Sequence, residues 1–143
     1  MTASPMMSQA AAQAALNAIT ALLNSGHIKV WTGSMPATCE TADSGTLLAT
    51  LAFSSTAFGS ATTDTGSNGL AKAVANAITS ATAGNTGTAG YFRAYSSGGT
   101  CEIQGNVGTS SADFVINSTT ITSGDTVACT AYTLKLPDGS GAD

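Results

Sequence analysis

Charge is what this sequence has least of. Only 8% of its residues are Asp, Glu, Lys or Arg, against about 25% in ordinary soluble proteins. Four cations and a net charge of −4 cannot make the basic groove that phosphate binding needs, so nucleic acid is excluded as a partner. No apolar run approaches the ~20 residues that span a bilayer, and the N-terminus lacks the positive flank of a signal peptide. A membrane role is therefore not expected. One histidine, His27, and three scattered cysteines show no metal-ligand spacing, so neither a metal nor another cofactor is expected. Cys39, Cys101 and Cys129 permit three single pairings, each leaving one thiol over. That pattern is not a disulfide framework, and reduced thiols suit intracellular synthesis.

Thr, Ser, Ala, Gly and Asn fill the space that charge leaves. The 143 residues suit one domain. Residues 1–26 read as a helix belonging to that domain, 27–137 as its β body and 138–143 as a flexible tail. In the helix, Ala12, Leu16, Ile19 and Leu23 recur at helical spacing, with Pro5 or Ser8 as the start and Ser25-Gly26 as the stop. Its other face carries Gln9, Gln13, Asn17, Thr20 and Asn24, polar throughout but uncharged. Gln13 and Asn17 are candidate partner contacts on that stripe. The same stripe could equally close the helix onto its own sheet.

From His27 the hydrophobic period becomes two. "HIKVWTGS", "TLLATLAF", "GTAGYFRAYS", "CEIQGNVG", "ADFVINSTTI" and "DTVACTAYTLKLP" read as strands. The third and fourth form a hairpin across "SGGT". "STAFGSATTDTGSNG" reads as loop with a short pairing near Phe58. "LAKAVANAITSATA" fits helix or strand, and a strand over 73–81 is favoured. The last strand changes parity between Val127-Cys129 and Tyr132-Leu134-Leu136, which a bulge would repair. The expected fold is all-β: a β-sandwich or jelly-roll-like domain of about seven strands after one helix.

Catalytic constellations are scarce. His27 lacks a nucleophile elbow and fits an exposed strand end. Asp64-Thr65-Gly66 has the tripeptide of aspartic proteases, but polar Thr62-Thr63 precedes it where an apolar strand belongs. "DTGSNG" resembles the opening of a calcium loop without its closing Glu. The protein is therefore expected not to be an enzyme. The row Tyr91-Arg93-Tyr95 holds the chain's single arginine on one face of a strand. With Trp31, these residues are of the types enriched at protein interfaces. Three uses are open: contact with a partner, bracing of the domain's own surface, and ligand binding.

The stretches "GTLLATL", "NAIT", "GTAGYFR", "QGNVGTSSADF" and "TVACTAYTLKLP" together resemble a group of small structural proteins of tailed-bacteriophage virions, over residues 9–137. The resemblance implies a β-rich, non-enzymatic virion component of capsid decoration or head-associated type, with a tail position as the alternative. It also implies other virion proteins as partners, the major capsid protein first among them. A homo-oligomer such as a trimer would add avidity. It implies no catalytic residues and supports the strand reading of 73–81. A host-glycan-binding module is the competing expectation, with Trp31, Tyr91 and Tyr95 as its platform.

Overall fold

The computed structural model describes residues 7–64 and 70–136. The 138–143 tail and most of the Asp-Thr-Gly and calcium-like loop lie outside the described residues.

The chain opens with α1 (Gln9–Ala21), capped by Ser8, whose Oγ accepts from the Ala11 N–H at 3.0 Å as expected of an N-cap serine. A short turn follows, with Ser25 at φ 59° and the Gly26 N–H donating to the Leu23 carbonyl at 2.9 Å. The remainder is mostly β. Six strands have five or more residues: β1 (His27–Thr32), β2 (Leu47–Phe53), β4 (Leu70–Val74), β7 (Gly87–Tyr95), β8 (Cys101–Gly108) and β12 (Cys129–Leu136). Six are shorter: β3 (Thr62–Asp64), β5 (Ile78–Thr79), β6 (Ala81–Thr82), β9 (Phe114–Ile116), β10 (Thr120–Ile121) and β11 (Thr126–Val127). The ambiguous segment after Leu70 is thus extended, but broken into three pieces. Phe58 makes the expected short pairing, with Ala75.

One sheet runs β3-β4-β12-β9-β8-β7-β1-β2-β5, with β10 on β7 and a separate β6–β11 ribbon. Among the described residues every strand pairing is antiparallel except β8–β9. The sheet curls. Phe53 on β2 and Tyr132 on β12 lie on distant strands, yet their ring centroids are 6.5 Å apart. Phe58, Phe92 and Phe114 complete this aromatic cluster, with Tyr132 edge-on to all three. These contacts are the favoured geometry for aromatic pairs. The helix lays Ala12 and Leu16, and the turn after it Leu23, into the same core.

Three bulges set which residues face inward. In β12 the register shifts between Cys129 and Ala131, so Val127 and Tyr132 are both buried despite their opposite parity. Between β1 and β2 the shift opposite Val30/Trp31 buries Leu48 and leaves Leu47, the residue favoured by parity, half-buried. In the β7–β8 hairpin the register moves from Ala94–Ile103 to Tyr95–Cys101. Cys101 therefore leaves the inward parity of Ile103 and joins the face of Arg93 and Tyr95.

Candidate functional site

Pairing of β1 with β7 sets His27 opposite Tyr95, Lys29 opposite Arg93 and Trp31 opposite Tyr91. Opposed residues share a face of a sheet, so these six side chains form one outward patch. Its β7 half is covered. Residues 33–46, between β1 and β2, cross it as a strap. The Tyr91 hydroxyl donates to the Ser44 carbonyl at 2.7 Å and accepts from the Ser44 N–H at 3.0 Å. Arg93 Nη2 donates to the carbonyls of Thr38 at 3.1 Å and Thr41 at 2.7 Å, and its Nε donates to Gln104 Oε1 at 3.1 Å. Gln104 Nε2 reaches the Pro36 carbonyl at 2.7 Å. The Tyr95 hydroxyl donates to Asp43 Oδ2 at 3.4 Å, and Lys29 Nζ stands 5.0 Å over the Tyr95 ring.

Tyr91, Arg93 and Tyr95, expected as partner contacts, are engaged by the strap within the chain. They are 0%, 2% and 7% exposed, because the strap takes up their polar ends. The row braces the domain's own surface. Arginine suits this position: its planar fork reaches several acceptors at once, which a lysine ammonium cannot do from one point. Burial, as the largest effect, raises the Tyr95 phenol above its ordinary range, against the Arg93 hydrogen bond that lowers it. Trp31 is half-buried and stacks on Tyr91, with ring centroids 6.4 Å apart and planes 10° from parallel. Two glycines let the strap lie this close. A side chain on Gly90 would run into the backbone of Gly33. One on Gly45, where φ is +83°, would meet the Thr32 carbonyl.

The amide stripe of α1 is also bonded to the domain's own chain. Gln13 Nε2 donates to Thr63 Oγ1 at 2.8 Å, and Thr63 Oγ1 donates to Gln9 Oε1 at 3.3 Å. Asn17 Oδ1 accepts from the Ala61 N–H at 2.8 Å, and Asn24 Oδ1 from the Ala57 N–H at 2.8 Å. The stripe is a seam that bonds the Ala57 and Ala61 N–H groups and the Thr63 hydroxyl. Gln13 and Asn17 are thus engaged within the fold. Neutral amides suit a half-buried seam because they accept backbone donors without the desolvation cost of an ion.

A third feature escaped the sequence. Strand β8 pairs with β7 along its length, but with β9 only at Val107 and Gly108. Strand β12 pairs with β4 over Thr133–Leu136, but with β9 only up to Tyr132. Residues 101–105 of β8 and 133–136 of β12 therefore have no strand partner on their facing sides, among the described residues. Between them lies a furrow. One cavity of about 470 Å³ is lined by Phe92, Ile103, Gln104, Asp113, Tyr132 and Leu134. An adjoining one of about 350 Å³ shares Ile103 and Leu134 and reaches Leu16, Ile19, Leu22 and Leu136. The Tyr132 hydroxyl in its wall is buried and meets no hydrogen-bond partner among the described residues. Burial, with Asp113 and Cys129 adding to it, raises that phenol well above the ordinary range. Leu22, at the furrow's helical end, is 50% exposed.

His27 is exposed at the start of β1. Asp64 is buried, and its Oδ2 pairs with Lys135 Nζ at 2.9 Å. Among the described residues no cluster of three or more His, Cys, Asp or Glu side chains could hold a metal ion, and no helix is long and apolar enough to cross a membrane. The chain matches no family model, no curated protein and no solved structure.

Proposed function

We propose that the protein is a non-enzymatic structural component of a bacteriophage particle, of capsid decoration or head-associated type. It assembles in the host cytoplasm and sits on a repeating surface of other virion proteins. The resemblance of residues 9–137 to small virion proteins supports this reading, and so does the scarcity of charge. The observation that carries it is the furrow between β8 and β12. Two strand edges that face each other over a floor of mixed character, with Phe92, Ile103 and Leu134 beside Gln104, Asp113 and Lys135, fit an extended segment of a neighbouring particle protein. Such a segment would gain backbone hydrogen bonds on both sides, and its alternate side chains would meet Ile103, Tyr132 and Leu134. The curling that sets Phe53 against Tyr132 supports the finer reading of the fold as a sandwich-like closure.

Glycan binding is less well supported. The strap covers Tyr91 and Tyr95, which leaves a half-buried Trp31 as the remnant of the aromatic platform.

Electron microscopy and protein gels of purified particles, made with and without this protein, test the reading. The expected result is a fixed copy number in the particle and additional density on the head. Leu22→Glu places a charge at an exposed position of the furrow and should lower incorporation while the melting temperature stays unchanged. Particles of the same protein content and density with and without this chain would refute the proposal.

A further inference from the structure

We infer that Cys39 on the strap and Cys101 on β8 are the two halves of a redox clasp, and that a disulfide between them ties the strap to the sheet. The inference is independent of the virion reading. Three anchors hold the strap against the β7–β8 surface around Cys39: the Pro36 carbonyl on Gln104, and the Thr38 and Thr41 carbonyls on Arg93. Cys101 stands on that same surface, opposite Tyr95, because the hairpin bulge moved it out of the Ile103 parity. The two thiols consequently lie within interaction range of each other, while the Cys101 thiol donates to the Ile103 carbonyl at 3.7 Å. Both are half-buried, within reach of a small oxidant. Cys129 lies on β12, opposite Ile116. Of the three pairings that the sequence permits, the fold brings together Cys39 and Cys101.

The oxidant is a small-molecule disulfide such as oxidised glutathione. The Cys39 thiolate attacks one of its sulfurs, forming a mixed disulfide and releasing one thiol. The Cys101 thiolate then attacks the Cys39 sulfur and releases the second. Two protein thiols together lose two protons and two electrons, and the oxidant becomes two thiols. Burial first, then the hydrogen bond and the charge of Cys39, push the Cys101 thiol up to about 12. This order of attack follows, because a thiol held protonated is a poor first nucleophile. Capping Cys39 removes two of those three effects and frees Cys101 for the second step. The closed bond spans about 60 residues of chain, a loop long enough to restrict the unfolded state substantially.

The test oxidises the full-length protein with oxidised glutathione, followed by peptide mapping without reduction. The expected product is a peptide joining Cys39 to Cys101, found also in Cys129→Ser. The melting midpoint should rise by on the order of 10 °C over the reduced protein. Cys39→Ser and Cys101→Ser should show no such rise. Because Cys101→Ser could disturb packing, the map of the unsubstituted protein decides. Separate glutathione adducts on Cys39 and Cys101, or a link that contains Cys129, would overturn the inference.

Discussion

Replacing Arg93 with alanine tests whether the Tyr-Arg-Tyr row serves the fold or a partner. Arg93 is 2% exposed and donates three hydrogen bonds, at 2.7, 3.1 and 3.1 Å. A hydrogen bond from a charged group contributes about 1.5–3 kcal/mol. The full sum overstates the loss, because Thr38 and Thr41 are on the exposed strap and their carbonyls can turn to water. Gln104 Oε1 and the cavity left by the side chain have no such relief. A net cost of about 3 kcal/mol results. With an unfolding entropy of about 2.1 cal/mol/K per residue, a chain of this size should lose about 10 °C in melting temperature. Circular dichroism melting measures that loss. Limited proteolysis should show new cleavage within residues 33–46 while the core stays protected. Arg93→Lys should recover little, since an ammonium cannot replace the fork that reaches two carbonyls and an amide. If Arg93→Ala melts within about 2 °C of the parent, with the strap still protected, the bracing role is wrong and the row's value must lie outside the domain.

Asn17→Ala and Asn24→Ala each strand a backbone N–H, of Ala61 and Ala57, and should each cost about 1 kcal/mol in urea titrations. Aspartate at either position keeps the acceptor and should lose less. Tyr132→Phe removes a buried hydroxyl that bonds to none of the described residues, so the urea midpoint should change by less than about 0.5 kcal/mol in stability terms; a larger loss would reveal a partner for that hydroxyl. Burial raises Cys129 from 9.0 to about 11. Its contribution to stability is fully present below pH 9 and is lost as the pH rises to about 11, because the unfolded thiol ionises first. Alkaline denaturation of Cys129→Ala should therefore fall less steeply across that window than the parent's.

Local patterns carried much of the fold. The parity break in "TVACTAYTLKLP" became a bulge because both Val127 and Tyr132 must reach one core. The hairpin across "SGGT" followed from its short turn. The helix began at its serine cap. The partners of polar side chains were less legible, because they lie far along the chain. Nothing near Arg93 in sequence announces Thr38 and Thr41, and nothing near Asn17 announces Ala61. The furrow was invisible for the same reason. It depends on β9 being short and lying between β8 and β12, and strand order is a non-local property. Parity alone puts Cys101 on the face of Ile103, but one extra residue in the hairpin turns its side chain to the other face.

The shortage of charge has acquired a more specific meaning. A surface this poor in charge suits coverage by neighbours. Much of the neutral polar content is bonded within the molecule: Gln9, Gln13, Asn17 and Asn24 close the helix seam, while Tyr91, Tyr95 and Gln104 help fasten the strap. Each replaces what an ion could do only at a higher desolvation cost. What internal seams do not account for is apolar exposure: besides Met7 ahead of the helix, Leu22 at 50%, Val74 at 56% and Met35 at 46%. Leu22 borders the furrow, whereas Val74 lies on β4 and Met35 on the strap. A partner that docks by strand addition would cover Leu22 and leave the other two accessible. Hydroxyl-radical footprinting of assembled particles therefore distinguishes the furrow from the strap as the contact surface. Protection of Leu22 with Met35 still oxidised supports strand addition, and protection of Met35 with Leu22 still oxidised would move the contact to the strap.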